Sequence, residues 1–93
     1  MTWLVKLTRQ AELDLKYWHR YDRATFEKCL ELLKQLETDP TNLETVGHPE
    51  WLKGDLAGCM SRRINQSDRC VYEVLGDAHV IRVFQLRFHY DDH

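Results

Sequence analysis

The sequence lacks the patterns that mark disulfide-stabilised and metal-binding proteins. It contains only three cysteines, Cys29, Cys59 and Cys70, and no CxxC pair. An odd number of thiols in apolar surroundings predicts reduced residues in or near the core rather than disulfides. Among the five histidines, His89 and His93 are four residues apart, but they lie at a chain end where we expect no helix. The sequence therefore predicts no metal site.

Long apolar runs are also missing. The longest run falls far short of the ~20 residues that a membrane span needs. The first seven residues lack the charged start and the long apolar stretch of a signal peptide. We therefore expect a cytoplasmic protein that does not contact a membrane.

Neither sign of charge dominates. The chain has 13 Lys and Arg against 15 Asp and Glu, a formal net charge of -2, which argues against a protein that coats nucleic acid. A local cationic pocket would have to be assembled by folding. Glycine and proline are scarce, at four and two residues, and 43% of the residues are hydrophobic, as is typical of a globular chain. The length of 93 residues predicts a single domain over residues 1–93.

Two amphipathic helices are predicted in the first half of the chain. The first covers 9–20 and begins after Thr8 as N-cap; the second covers 23–38, begins after Asp22 and ends before Pro40. Apolar residues at helical spacing predict the buried faces, which carry Ala11, Leu15 and Trp18 in the first helix and Phe26, Cys29, Leu30, Leu33 and Leu36 in the second. The face of the first helix that we predict to be solvated carries Glu12, Asp14, Lys16 and Arg20.

Four strands are predicted around these helices, over residues 2–7, 56–64, 69–75 and 79–88. The connection over 39–55 is rich in turn residues, and a loop of this length in so small a domain is more often functional than idle. Short turns make the last three strands antiparallel neighbours. The order β-α-α-β-β-β predicts an α+β fold, an antiparallel sheet with a two-helix hairpin packed on one face.

Alternation along the third predicted strand separates its two faces. Cys70, Tyr72 and Val74 share the face that we predict to lie under the helices, and Arg69 begins the strand on the uncovered face. A cleft between this face and the 39–55 loop is therefore expected.

Five short motifs follow one another in the C-terminal half: Pro49-Glu50-Trp51-Leu52-Lys53, Leu56-Ala57-Gly58, Ser61-Arg62-Arg63-Ile64, Arg69-Cys70-Val71-Tyr72 and Arg87-Phe88-His89-Tyr90. Together they resemble the YoeB branch of the RelE/ParE toxin superfamily. The resemblance covers the chain in order and length, although the helical half matches in pattern more than in letters. It implies a RelE-like fold and a toxin of a toxin–antitoxin pair that docks in the ribosomal A site, cleaves mRNA there and inhibits translation.

The resemblance also implies catalytic roles. Glu50 matches the general base that takes the proton from the 2′-OH of the RNA. Arg69 matches the arginine that binds the scissile phosphate and offsets the charge that grows in the transition state. His89 matches the general acid that protonates the leaving 5′-oxygen, a task that suits imidazole because its unperturbed pKa lies near ~6.5. The implied products are a 2′,3′-cyclic phosphate and a 5′-OH, and no metal or other cofactor is needed.

Three further residues match substrate-binding positions. Lys53 and Arg63 match secondary cations that help to neutralise the phosphate, and Tyr90 would stack on or orient a base. Arg62 points to the other side of its strand by alternation, so we interpret it as structural or as a contact to a partner.

Alternatives remain at this stage. Each residue taken alone also fits an ordinary surface position. The chain continues beyond the His-Tyr pair with Asp91, Asp92 and His93, and carboxylates there would repel an RNA backbone. This tail favours a second hypothesis, a catalytically weak binding module that acts as antitoxin partner and transcriptional co-repressor. A gyrase-directed toxin of the ParE side is disfavoured, because poisoning gyrase needs no general acid–base pair.

The resemblance implies the partners as well. The cognate antitoxin would be of the YefM/Phd type, a small dimeric DNA-binding protein whose disordered C-terminal segment folds over the toxin. Ribosome and mRNA would be the other partners, and operator DNA would be contacted only through the antitoxin. A homodimer is compatible with the family, although no residue in the sequence proves it.

Overall fold

A computed structural model describes residues 2–88 as a helix hairpin packed on a five-stranded sheet. In chain order the elements are β1 (Leu4–Leu7), α1 (Arg9–Tyr21), α2 (Arg23–Leu36), β2 (Glu50–Trp51), β3 (Cys59–Arg63), β4 (Arg69–Leu75) and β5 (Val80–Gln85). One turn of 3-10 helix, Gly54–Leu56, lies between β2 and β3. The predicted α+β fold is confirmed.

The sheet differs from the prediction at both edges. Its strand order is β1-β5-β4-β3-β2, and β1 pairs in parallel with β5, so the sheet is mixed rather than antiparallel. A short turn determines the relative direction only of the two strands that it joins. Strands β1 and β5 are adjacent in the sheet but far apart in the sequence, so no short turn joins them. At the other edge, the predicted 39–55 loop contains β2, which pairs antiparallel with β3. A strand of two residues is too short to show an alternation in the sequence.

Both helices begin where the sequence predicts. The Thr8 hydroxyl accepts a hydrogen bond from the Ala11 amide at 3.2 Å, and a carboxylate oxygen of Asp22 accepts one from the Thr25 amide at 3.1 Å. The side-chain hydrogen bond from Thr25, followed by this backbone bond, lowers the pKa of Asp22. Such caps satisfy amides that have no partner within the helix. Helix α2 ends at Leu36, two residues earlier than predicted.

The main core lies between the helix hairpin and the sheet. For two helix residues the predicted burial is wrong. Asp14 was predicted to be solvated but is only 2% exposed, because it follows Ala11 by three residues and precedes Trp18 by four on the buried stripe. Leu30 was predicted to be buried but is 40% exposed, while Leu32 is buried in the core. In both cases the spacing along the helix, rather than the residue type, decides the burial.

The two faces of β4 are as predicted. Cys70 and Tyr72 are buried in the main core, and Val74 packs against it. On the opposite face Val71 joins a smaller apolar cluster with Leu52 and Cys59. The face away from the helices is therefore partly apolar and supports the charged residues described below.

Arg62 is fully buried beneath the helices, as its position in the strand predicts. Its Nε donates to the Tyr72 hydroxyl at 3.1 Å, Nη1 to Gln35 Oε1 at 3.3 Å and Nη2 to the Asp39 carbonyl at 2.6 Å. The Tyr72 hydroxyl in turn donates to the Pro40 carbonyl at 2.7 Å. This network fixes the beginning of the long connection against the sheet, which supports the structural interpretation of Arg62.

The three cysteines are free and buried, in agreement with the prediction of reduced core residues. Within residues 2–88, no helix has the length and the apolar character to cross a membrane. In the same range, no group of three or more His, Cys, Asp and Glu side chains is arranged to hold a metal ion.

Candidate active site

A carboxylate, a hydroxyl and a guanidinium meet on the sheet face that the helices leave uncovered. Glu50 in β2 lies directly opposite Ser61 in β3, and residues paired in this way point to the same face. Arg69 Nη1 donates to Ser61 Oγ at 2.9 Å, and Ser61 Oγ lies 3.4 Å from Glu50 Oε1, to which it donates. Arg69 Nη1 is 3.6 Å from the same carboxylate oxygen. Three neighbouring strands thus bring the predicted base and the predicted phosphate ligand together.

The three side chains differ in their access to solvent. Ser61 is fully buried, the Arg69 side chain is 13% exposed and the Glu50 side chain is 47% exposed. The guanidinium is therefore held in place by its surroundings, while the carboxylate remains open to a ligand from solvent. A half-exposed ion pair contributes little to stability, which is consistent with a role in binding or catalysis.

Of the two predicted secondary cations, the strand register relates one to this cluster, and the other follows β2 in the chain. Arg63 lies opposite Arg69 in the β3–β4 register and is exposed. Lys53 is exposed in the turn that precedes the 3-10 helix. The ion pair of the cluster joins Arg69 to Glu50, and Arg63 is on the strand beside Arg69. Cations close together on one face produce a positive potential that attracts an anion such as a phosphate.

Gly47 fixes the approach of the long connection to β3. The Arg63 amide donates to the Gly47 carbonyl at 2.7 Å. Gly47 has a φ of +91°, and a Cβ atom there would lie 3.1 Å from the Arg63 carbonyl oxygen. Both the backbone conformation and the close approach favour glycine. The connection that leads to Glu50 in β2 is thereby attached to the strand that carries Arg63.

The chain that leads to the predicted acid is fixed beside Arg69. The Arg69 amide donates to the Phe88 carbonyl at 3.0 Å, and the Phe88 amide donates to Asp68 Oδ1 at 2.7 Å. The predictions for His89 and Tyr90, and for the tail 91–93, lie outside the described residues. What the structure gives is the position of Phe88, the residue before His89 in the sequence.

Ser61 is the member of this cluster that was not predicted from the sequence to be functional. A signal was present, because Ser61 lies two residues before Arg63 in one strand and therefore shares its face. What the sequence did not show was the register with β2, which places Ser61 opposite Glu50. The cluster as a whole combines a proton acceptor with a group that binds phosphate oxygens in a bidentate manner.

Comparisons with known proteins agree with this fold. The family model described as "YoeB-like toxin of bacterial type II toxin-antitoxin system" matches residues 7–90. Toxin YoeB of Streptomyces coelicolor is 40% identical over 77 residues, which cover 83% of this chain and 87% of that protein. The structure of a YoeB/ParE toxin from Agrobacterium tumefaciens has a TM-score of 0.85 at 38% identity and covers 94% of this chain and 99% of its own.

Solved structures from Staphylococcus aureus show two assemblies of a similar toxin. One is a heterotetrameric YoeB–YefM toxin–antitoxin complex, with a TM-score of 0.79 at 37% identity over 92% of this chain and 95% of that one. The other is a YoeB dimer, with a TM-score of 0.80 at 38% identity over 95% of this chain and 98% of that one. From the match of the family model along almost the entire sequence, together with these relatives, we conclude that this chain belongs to the YoeB-like toxin family of bacterial type II toxin–antitoxin systems.

Proposed function

We propose that this chain is a ribosome-dependent endoribonuclease that cleaves mRNA in the ribosomal A site and thereby inhibits translation. The observation that carries the proposal is the contact of Glu50, Ser61 and Arg69 on the uncovered face of the sheet. The backbone of Arg69 also holds the residue that precedes His89. The residues proposed as base and phosphate ligand, and the chain leading to the proposed acid, thus lie together on or beside three neighbouring strands.

The proposed reaction is an attack of the RNA on its own backbone. Glu50 takes the proton of the 2′-OH while the 2′-oxygen forms a bond to phosphorus. The bond between phosphorus and the 5′-oxygen breaks, and His89 gives its proton to that oxygen. The products are a 2′,3′-cyclic phosphate and a 5′-OH, and the two proton transfers balance without a metal or another cofactor. Arg69 binds the non-bridging oxygens, whose charge grows in the transition state.

The surrounding residues would bind the rest of the substrate. The exposed side chains of Lys53 and Arg63 add positive charge beside the ion pair, where the phosphates that flank the scissile one would pass. Tyr90 would stack on a base of the codon, since aromatic rings commonly hold unstacked RNA bases. Together these contacts would orient the mRNA without reading much of its sequence.

The proposed partners follow from the family. A YefM-type antitoxin would neutralise the toxin, as the YoeB–YefM complex of Staphylococcus aureus suggests by similarity. Operator DNA would be bound only through the antitoxin. The YoeB dimer of Staphylococcus aureus supports a homodimer as one assembly of the free toxin. The proposed place of action is the cytoplasm, where ribosomes translate the mRNA.

Primer extension on a translated mRNA tests the proposal. We expect cuts that require ribosomes, and we expect Glu50→Ala and His89→Ala each to slow them by about 10²- to 10⁴-fold, the range typical of a lost general acid or base. Glu44→Ala, which removes an exposed carboxylate of the same connection, is the matched control and should cut normally.

Three results would contradict the proposal. Cuts of equal rate in the absence of ribosomes would remove the ribosome dependence. Unchanged cuts in both variants would remove the assigned roles. Binding of the antitoxin with neither growth inhibition nor mRNA cleavage would instead support the catalytically weak binding module.

A further inference from the structure

The three residues that follow β5 are fixed by side chains from several elements. Asp14 Oδ2 accepts a hydrogen bond from the Leu86 amide at 3.0 Å, and Trp18 Nε1 donates to the Leu86 carbonyl at 2.7 Å. Both side chains belong to α1, and both are buried, at 2% and 7% exposure. The guanidinium of Arg87 lies 3.5 Å above the centre of the Tyr17 ring of the same helix. The segment thus leaves the sheet along one defined path.

The Gln85 side chain holds the last two residues of this segment, Arg87 and Phe88. Its side chain is 5% exposed, and its Nε2 donates to the carbonyls of Arg87 at 2.9 Å and of Phe88 at 3.0 Å. A side-chain amide has two N–H donors, so one group can hold two successive carbonyls. Phe88 adopts a φ of +69°, a conformation that residues other than glycine rarely keep unless the surroundings enforce it. Gln85 supplies part of that enforcement.

A β-bulge directs Gln85 to the face that carries the candidate active site. Tyr72 pairs with Val83, but its neighbour Val71 pairs with Gln85, so the register shifts by one residue at Phe84. Simple alternation from the buried Val83 would turn Gln85 towards the helices. The shift places it opposite Val71 instead, on the uncovered face. Bulges often occur beside active sites, where they redirect one side chain.

We propose that Gln85 is a positioning residue for the general acid: it holds the carbonyls of the two residues before His89 so that the imidazole reaches the leaving oxygen of the phosphate bound by Arg69. This inference rests on the proposed function. Gln85 does not touch the substrate in this role. It acts through the backbone, together with the bond from the Arg69 amide to the Phe88 carbonyl.

The test separates protonation of the leaving group from all other steps. Two short mRNAs are placed in ribosomes, one natural and one with sulfur in place of the 5′-oxygen at the mapped cleavage position. A thiolate leaves without being protonated, so a defect in the acid disappears on the sulfur mRNA, whereas a defect in the base or in binding remains. Single-turnover rates are measured with saturating toxin, which separates the chemical step from affinity.

We expect Gln85→Met, which keeps the length of the side chain and removes both donors, to cleave the natural mRNA about 10- to 100-fold more slowly, because a displacement of about 1 Å has effects of this size. On the sulfur mRNA it should match the unmodified protein within about threefold, as should His89→Ala. Glu50→Ala should remain slow on both. Gln66→Met alters an exposed glutamine and should cleave both mRNAs normally.

Gln85→Glu provides a second variant of the same size, in which a carboxylate faces the two carbonyls and repels them. It should show the same defect on the natural mRNA and none on the sulfur mRNA. Thermal unfolding shows whether each variant folds. If the Met variant does not fold, the Glu variant tests the positioning role in its place. Suppose that His89→Ala is slow on the natural mRNA and normal on the sulfur mRNA, as expected of an acid variant. Equal slowing of the Gln85 variants on both mRNAs, or no slowing on either, would then overturn the positioning role and leave the proposed function intact. Full activity of His89→Ala on the natural mRNA would overturn the proposed function and, with it, this inference.

Discussion

Arg62 and Arg63 are neighbours in β3 and lie on opposite faces of the sheet. Arg62 is fully buried and donates to Tyr72, Gln35 and Asp39, whereas Arg63 is exposed on the face of the candidate active site. Alternation along a strand separates them completely, although the sequence presents them as a pair. The two residues therefore allow a direct comparison between a buried arginine that holds the fold together and an exposed arginine that is proposed to bind phosphate.

We expect Arg62→Ala to lower the free energy of unfolding by about 3 kcal/mol or more, because it leaves a cavity and removes the partners of buried polar groups. Arg63→Ala should change that free energy by less than about 0.5 kcal/mol. Urea denaturation measures both. The effect of Arg63→Ala should appear in cleavage instead: this variant should cleave mRNA more slowly although its stability is unchanged. A stable Arg62→Ala protein would refute the structural interpretation of that arginine.

Ser61 connects Glu50, the proposed base, to Arg69, the proposed phosphate ligand. Its hydroxyl accepts from Arg69 and donates to Glu50, and the side chain is fully buried. We expect Ser61→Ala to slow mRNA cleavage by about tenfold, because the two charged groups lose the partner that fixes their separation. Its free energy of unfolding should fall by only about 1 kcal/mol. Ser67→Ala, at an exposed turn position, is the control in both assays.

Unchanged cleavage by Ser61→Ala would show that the strand pairing alone fixes the two side chains. The assay is the ribosome-dependent cleavage rate, compared at equal folded fraction.

Among the elements, α1 is attached to β5 through its N-cap residue, Thr8. The Thr8 side chain accepts from the Ala11 amide and also donates to the Phe84 carbonyl at 3.1 Å. One hydroxyl therefore caps the helix and binds the bulged part of β5. The helix that holds Leu86 through Asp14 and Trp18 is thereby aligned with the strand that Leu86 follows.

We expect Thr8→Ala to lower the free energy of unfolding by about 1–2 kcal/mol, from the lost cap and the lost bond to Phe84. Thr41→Ala, at an exposed position of the long connection, should have almost no effect. Thermal unfolding of the two variants measures the difference. Equal melting temperatures would show that neither bond contributes.

The elements that were predicted well are those in which apolar residues follow a regular period over many positions. Both helices and β4 were placed within two residues, because caps and periodicity are local properties. The parallel edge of the sheet, the two-residue strand β2 and the bulge at Phe84 depend on pairing between distant segments. Glu50 and Arg69 were selected through the family resemblance, whereas the contacts of Ser61, Asp14 and Gln85 required the register and the packing.

The protein as a whole buries several groups that must stay neutral. Burial raises the pKa of Tyr72 to about 12, although Arg62 opposes the shift. Burial, with help from Asp14, raises the pKa of Cys29 to about 12. Burial also raises the pKa of Cys70 above its usual range. In the unfolded chain these groups ionise near their ordinary values, 10.0 for tyrosine and 9.0 for cysteine.

The sign of the pH dependence follows. A folded pKa above the unfolded one means that stability is fully present below about pH 9 and is lost as the pH rises towards about 12. We expect the urea midpoint to fall over this interval. The reason is that the free energy of unfolding decreases by up to about 1.4 kcal/mol per pH unit for each group. Tyr72→Phe should reduce the slope between pH 10 and 12. A midpoint independent of pH up to 12 would contradict the neutral burial.

The parallel pairing of β1 with β5 has a consequence for synthesis. Since β5 lies between β1 and β4 in the sheet, the first strand has no place to pair until the last strand is available. A nascent chain that has not yet exposed β5 therefore lacks the complete sheet, the bulge and the segment that follows it, and domains acquire such long-range pairings as units. The hydrogen bond from the Arg69 amide to the Phe88 carbonyl also needs that segment, so the chain that leads to the proposed acid is the part of the molecule that takes its position last.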